Sequence, residues 1–197
     1  MNPTRDDALS LMESWTESDS LRKHMLAVEA AVAAYARAEG EDETLWAVAA
    51  ILHDFDYERY PNPDRDASGH PWVGVRTLQE LGYPEAVTDA ILGHADYTGV
   101  PRTSRLAKTL FACDEITGLI TAAVLVRPDR DIANQTVKSL KKKFKDKAFA
   151  RGVNRDDVRQ GAEELGVELW DHVAFVLLAM QERAGALGLD GRLAEAG

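Results

Sequence analysis

An all-α fold is what this sequence predicts, on three observations. Apolar residues recur at three- and four-residue spacings in almost every segment, no stretch alternates as a half-buried strand does, and the breaks fall at glycine, proline and capping residues. The 197 residues are 45% hydrophobic, enough to close a core in one domain of ordinary size.

A short helix is expected from Arg5 to Glu13. Ser18 and Asp19 offer N-cap oxygens to a long helix from Ser20 to about Glu39, which Gly40 ends. Asp42 starts a third helix that runs through Trp46, Ala49 and Ala50 to His53. From Tyr57 to Gly69, Pro61, Asn62, Pro63 and Asp64 form turns and cannot continue a helix. Pro71 sits in the first turn of the next helix, closed by Gly82, and Pro84 opens another to about Gly93. After the loop His94–Thr103, Ser104 caps a long apolar helix to Val126. A basic helix near Thr136 to Lys145, one from Asn154 to Leu165 and a last one from Val167 to about Leu187 complete the chain. These segments read as one domain, 1–197, with a core of about 20–126 and a helical extension of about 127–197.

Composition excludes several classes. The net charge of −10, from 23 Lys and Arg against 33 Asp and Glu, opposes binding to extended nucleic acid, which requires a broad basic surface. The lone Cys113 forms no internal disulfide, and the first residues lack the apolar stretch of a signal peptide. The longest weakly polar run, Ile116 to Val126, is shorter than the ~20 residues that span a bilayer. The expectation is a soluble cytoplasmic protein without a membrane contact; a homodimer is left open.

Polar residues stand where helical periodicity expects hydrophobes. His24 shares a face with Leu21, Val28, Ala31 and Tyr35, and His53 with Trp46, Ala49 and Ala50. Asp114 lines up with Leu110, Phe111 and Thr117. A single such histidine is more often a hydrogen-bonded core residue than a ligand, and Asp114 has Lys108 or Arg105 as alternative partners. The set changes the balance: His24, His53, His70 and His94 all sit at helix ends or on apolar faces, and Asp54 follows His53 directly. Imidazole with carboxylate suits iron, manganese, cobalt, nickel or zinc, and the shortage of cysteine disfavours a structural zinc site.

The series His24, His53-Asp54, Asp114 resembles the H…HD…D signature of HD-domain metal-dependent phosphohydrolases, with Ala50-Ile51-Leu52 before the pair. Gly69-His70-Pro71 and Leu92-Gly93-His94 extend the order to H…HD…H…H…D, which resembles the family's dinuclear branch. The resemblance covers about Ser20 to Val126 and implies an HD-domain helical bundle holding one or two divalent transition-metal ions. It also implies that His24, His53, Asp54 and Asp114 hold the first ion, and that Asp54 bridges to a second held by His70 and His94. Paired metals clamp a phosphoryl group and activate water, so no serine or cysteine nucleophile is required. The Gly and Lys that commonly follow the pair in this family are replaced by Phe55, Asp56 and Tyr57.

Asp56 and Asp96 join Asp54 as candidate catalytic carboxylates, for proton transfer or ligand orientation, against an alternative as turn and cap residues. Lys138 to Arg159 holds nine basic residues against three acids, a net +6 that leaves the rest of the chain at −16. Lys142 and Lys145 in this segment, with Arg102 and Arg105, are the candidate contacts to a small phosphorylated substrate; a solvated helix face is the alternative for the lysines. His172 and Cys113 read as structural. The leading expectation is hydrolysis of a phosphoester or phosphoanhydride in a small nucleotide-like substrate. A di-iron oxygenase resembling the same ligand set is the alternative, and a metal-stabilised regulatory module is the third.

Overall fold

The structure is a computed structural model and describes residues 2–195; the ends of the expected 1–197 domain, residue 1 and residues 196–197, lie outside the described residues. Regular structure among the described residues is helical, apart from one isolated bridge between Asp131 and Asp190. Helix α1 (Arg5–Trp15) begins at a capping box in which Thr4 and Asp7 exchange hydrogen bonds. Helix α2 (Asp19–Glu39) starts where the Ser18 hydroxyl accepts from Leu21 N and ends at Gly40, whose φ of 74° only glycine adopts without strain. Asp42 caps α3 (Glu43–Leu52) in the same way, and the helix stops at His53. Helices α4 (Trp72–Glu80) and α5 (Glu85–Gly93) follow Pro71 and Pro84, as their sequence signals predict.

Ser104 caps α6 (Arg105–Leu125), the hub of the fold. Its residues Leu110, Ile116, Leu119 and Ile120 are fully buried because α2 and α5 cover it on one side. The extension covers the other side through α7 (Val137–Lys145), α8 (Arg155–Leu165) and α9 (Leu169–Glu182). Contact between α6 and α8 is close enough that a Cβ on Gly161 would lie 2.6 Å from Ala112 Cα, so this glycine permits the helix crossing. The expected last helix divides in two. Its N-terminus is set by the Glu168 carboxylate, which accepts from Trp170 N and Asp171 N, and Arg183 leaves helical geometry before α10 (Ala184–Leu187). The terminal turn α11 (Arg192–Glu195) follows. No helix among the described residues is long and apolar enough to cross a membrane.

Candidate metal centre

Five segments deliver the six His and Asp side chains of the motif series. His24 comes from α2, His53 from the C-cap of α3 with Asp54 after it, and His70 from the loop before α4. His94 comes from the C-cap of α5 and Asp114 from α6. They form two triads, His24–His53–Asp114 and Asp54–His70–His94, with the ligand atoms of each triad all within 4.8 Å of one another. In the first, His24 Nε2 lies 3.0 Å from Asp114 Oδ1 and 3.3 Å from His53 Nε2. Asp54 serves both. Its Oδ2 lies 3.5 Å from His53 Nε2 and 3.7 Å from His24 Nε2, while Oδ1 lies 3.3 Å from His70 Nε2 and 3.5 Å from His94 Nε2.

Backbone and carboxylate acceptors fix three of the four rings. The Nδ1–H of His53 donates to Ala50 O at 2.7 Å, that of His94 to Ile91 O, and that of His70 to Asp56 Oδ1 at 2.7 Å. Each bond holds a proton on Nδ1 and turns Nε2 inward, so that the neutral ring offers Nε2 as a ligand, the arrangement by which metal-binding imidazoles are oriented. Burial alone would push the His53 imidazole down, but Asp54 and then Asp114 outweigh it and raise it to about 9. Burial likewise opposes the charge on Asp54 and Asp114, yet the surrounding imidazoles hold both carboxyls well below the usual range. Ionised carboxylates among inward-facing imidazoles are the electrostatic demand that a divalent cation meets. The donor set therefore fits one or two such ions, of the borderline kind that accepts both nitrogen and oxygen.

The triads open into a cavity of about 680 Å³. Its further lining includes Tyr57 and Asn154, and four residues that no motif in the sequence marks: Arg65, Tyr97, Glu115 and Asp157. Arg65 is the one Lys or Arg among the lining residues; its guanidinium lies 5.5 Å from the Tyr97 ring centre and has no ion-pair partner among the described residues. Burial and then Asp114 raise the Glu115 carboxyl to about 7, and its Oε2 accepts from Asn154 N at 3.1 Å. An acid directly after Asp114 on an otherwise apolar helix was the available signal for Glu115. Asn62, read in the sequence as a turn residue, also acts here. Its side-chain amide donates to His70 O at 2.7 Å, and Tyr97 OH donates to the same carbonyl at 3.1 Å, which anchors the His70 loop.

Four of the other expected roles change, those of Asp56, Arg102, Arg105 and Lys142. Asp56 is 1% exposed, with one oxygen held by His70 and the other by Gly74 N at 2.6 Å, so it positions a ring and touches no substrate. Arg102 is engaged by Glu164 through two bonds at 2.8 and 2.7 Å, by Asp96 and by Gly93 O, with its guanidinium carbon 3.6 Å from the Phe111 ring centre. It is a strut between the His94 segment and α8 rather than a substrate contact. Arg105 faces away, paired through two bonds with Glu39 and bonded to Leu165 O. Lys142 lines neither the metal cavity nor the one beside it, and Lys145 lines the neighbouring cavity. Asp96 does line the metal cavity, held by Arg102. His172 bridges Tyr35 OH and Ala112 O, and the Cys113 thiol is buried, which pushes it up.

Comparison with curated proteins and with solved structures gives no match. The family model described as HD domain matches residues 21–119, half of the chain, from the start of α2 to the middle of α6. The match contains all six residues of the two triads, and the chain belongs to the HD domain family.

Proposed function

We propose that the protein is a metal-dependent phosphohydrolase acting on a phosphoester or phosphoanhydride of a small nucleotide-like substrate. The observation that carries this reading is the division of the Asp54 carboxylate between two triads in one open cavity. Bound divalent ions would supply Lewis-acid polarisation of the phosphoryl group and activation of water. The chain supplies orientation: Asp54 joins the two ligand groups, and Asp56, Ala50 O and Ile91 O hold three imidazoles in the ligating tautomer. Arg65, free of a carboxylate partner and set against Tyr97, is placed to receive an anionic oxygen of the substrate. Tyr57 and Tyr97 give the mouth of the cavity aromatic walls against which a flat group can pack.

The test begins with elemental analysis of anaerobically purified protein, followed by a screen of nucleotides and generic phosphodiesters for phosphate or alcohol release with dioxygen uptake recorded in parallel. Hydrolysis without dioxygen consumption, lost in Asp54→Ala together with bound metal, is the expected result. Substrate turnover that consumes dioxygen would replace this reading with the oxygenase, and a chain that neither carries nor takes up metal would remove both.

A further inference from the structure

A second cavity, of about 760 Å³, lies beside the metal cavity, and Gly152 and Asn154 line both. Its other lining residues include Lys145, Lys147, Arg151, Arg155 and Arg159, against a single acid, Asp156. The cations divide into two groups. Arg155 is a structural post, donating to Ala150 O, Val153 O and Phe149 O and so shaping the loop between α7 and α8. Arg159 pairs with Asp156 and lies over the Phe144 ring. The side chains of Lys145, Lys147 and Arg151 make no hydrogen bond or ion pair among the described residues, although the chain as a whole carries an excess of acid. Three unpaired like charges drawn around a concavity repel one another, and an anion relieves that repulsion.

The metal cavity has the opposite character. Five carboxylates line it, from Asp54, Asp96, Asp114, Glu115 and Asp157, with Arg65 as its one Lys or Arg. Two divalent ions and Arg65 would together bring five positive charges to at most five negative ones, which leaves little net field to draw a polyanion from solution. Attraction for an anionic substrate therefore falls to the cationic cavity next door. From this juxtaposition, the geometry points to the cavity formed by Lys145, Lys147 and Arg151 as a subsite for a second phosphate group of the substrate, held while the first lies in the metal cavity. The inference rests on the proposed phosphohydrolase activity for the identity of the first group, and it narrows the substrate class to compounds with at least two phosphoryl groups.

The experiment is calorimetric titration of the full chain, freed of metal by chelation and dialysis, with inorganic tripolyphosphate and separately with orthophosphate. Removing the metal confines the measurement to the cationic cavity and separates it from hydrolysis, which is assayed on its own. Tripolyphosphate should bind at least tenfold more tightly than orthophosphate. Lys147→Ala/Arg151→Ala should lose at least tenfold in tripolyphosphate affinity, while Lys138→Ala/Lys142→Ala, which removes the same charge from exposed positions outside the cavity, should lose less than twofold. Equal losses in the two double variants would reduce the segment to a diffuse basic surface and overturn the subsite. Absence of tripolyphosphate binding in the wild-type chain would overturn it as well. Tight binding in a chain that hydrolyses nothing would remove the hydrolase reading and leave the anion site standing.

Discussion

Replacing Asp56 by Asn tests whether this buried carboxylate sets the second ligand group. The side chain is 1% exposed, and its two oxygens accept from His70 Nδ1 at 2.7 Å and Gly74 N at 2.6 Å. Asn has the same shape but one acceptor, so either the imidazole or the Gly74 amide must face an NH2 group. A charge-assisted bond contributes about 1.5–3 kcal/mol, and a buried donor left without an acceptor costs about 1–3 kcal/mol. The two together give an expected loss of stability of about 2.5–6 kcal/mol, read as a fall in Tm of roughly 2–4 °C per kcal/mol for a chain of this size. His70 would also lose its tautomer preference, and disturbing such a partner lowers metal affinity by about 10–100-fold. Metal titration followed by elemental analysis should show the Asp54–His70–His94 group weakened by that factor and the His24–His53–Asp114 group unchanged. Gly74→Ala offers the same perturbation from the other side, since a Cβ there would lie 2.8 Å from Asp56 Cγ and from Phe55 Cε1. An Asp56→Asn protein that keeps both metal equivalents at wild-type affinity would refute the reasoning.

Arg102→Ala removes the strut between Gly93 O, Asp96 and Glu164 from a side chain only 8% exposed, but the two carboxylates it leaves reach solvent, so the cost should be about 1.5–3 kcal/mol; Arg102→Lys, without the planar fork, should recover little of it in thermal unfolding. Metal affinity should rise with pH from about 6.5 toward about 9, because His53, raised to about 9, carries a proton that an ion must displace; each displaced proton gives a factor of about ten per pH unit, and a flat profile in competition titrations would contradict it. Gly161→Ala gains helix propensity but drives a methyl into the Ala112 backbone, so overpacking should prevail by about 1–3 kcal/mol, and denaturant midpoints should fall rather than rise.

Local chemistry was legible in the sequence, and the reason is the range over which it acts. Ser18, Asp42 and Ser104 each cap the helix that follows, because a cap needs only a side-chain oxygen within three residues of the amide it accepts from. The ligand series was visible on the same terms. Histidines and aspartates at helix ends or on apolar faces contradict burial, and the motif order gives the contradiction a meaning that no one of them has alone. The division of the last helix at Arg183 escaped the reading because apolar periodicity continues through it.

Cations could not be assigned from sequence because their roles depend on partners far along the chain. Arg102 finds its carboxylate 62 positions away in Glu164, and Arg105 finds one 66 positions away in Glu39. Both follow the His94 loop and so read as available to a substrate, yet the fold engages them in holding helices together. Arg65 lies in a turn-rich stretch with nothing to distinguish it, and it acquires a place at the metal cavity only because Asn62 and Tyr97 anchor the loop that carries it. The charge asymmetry of the extension was plain, but its address was not. Seen along α7 it is a run of lysines; in three dimensions Lys145 meets Lys147 and Arg151 of the following loop around a concavity that borders the metal cavity, and Lys142 does not take part. The extension is thereby part of the site's architecture, since Gly152, Asn154 and Asp157 line the cavity whose six candidate ligands all come from segments before it in the chain. The HD motif supplies the candidate ligands, and residues that follow it, Gly152, Asn154 and Asp157, form part of the wall of the cavity into which those ligands open.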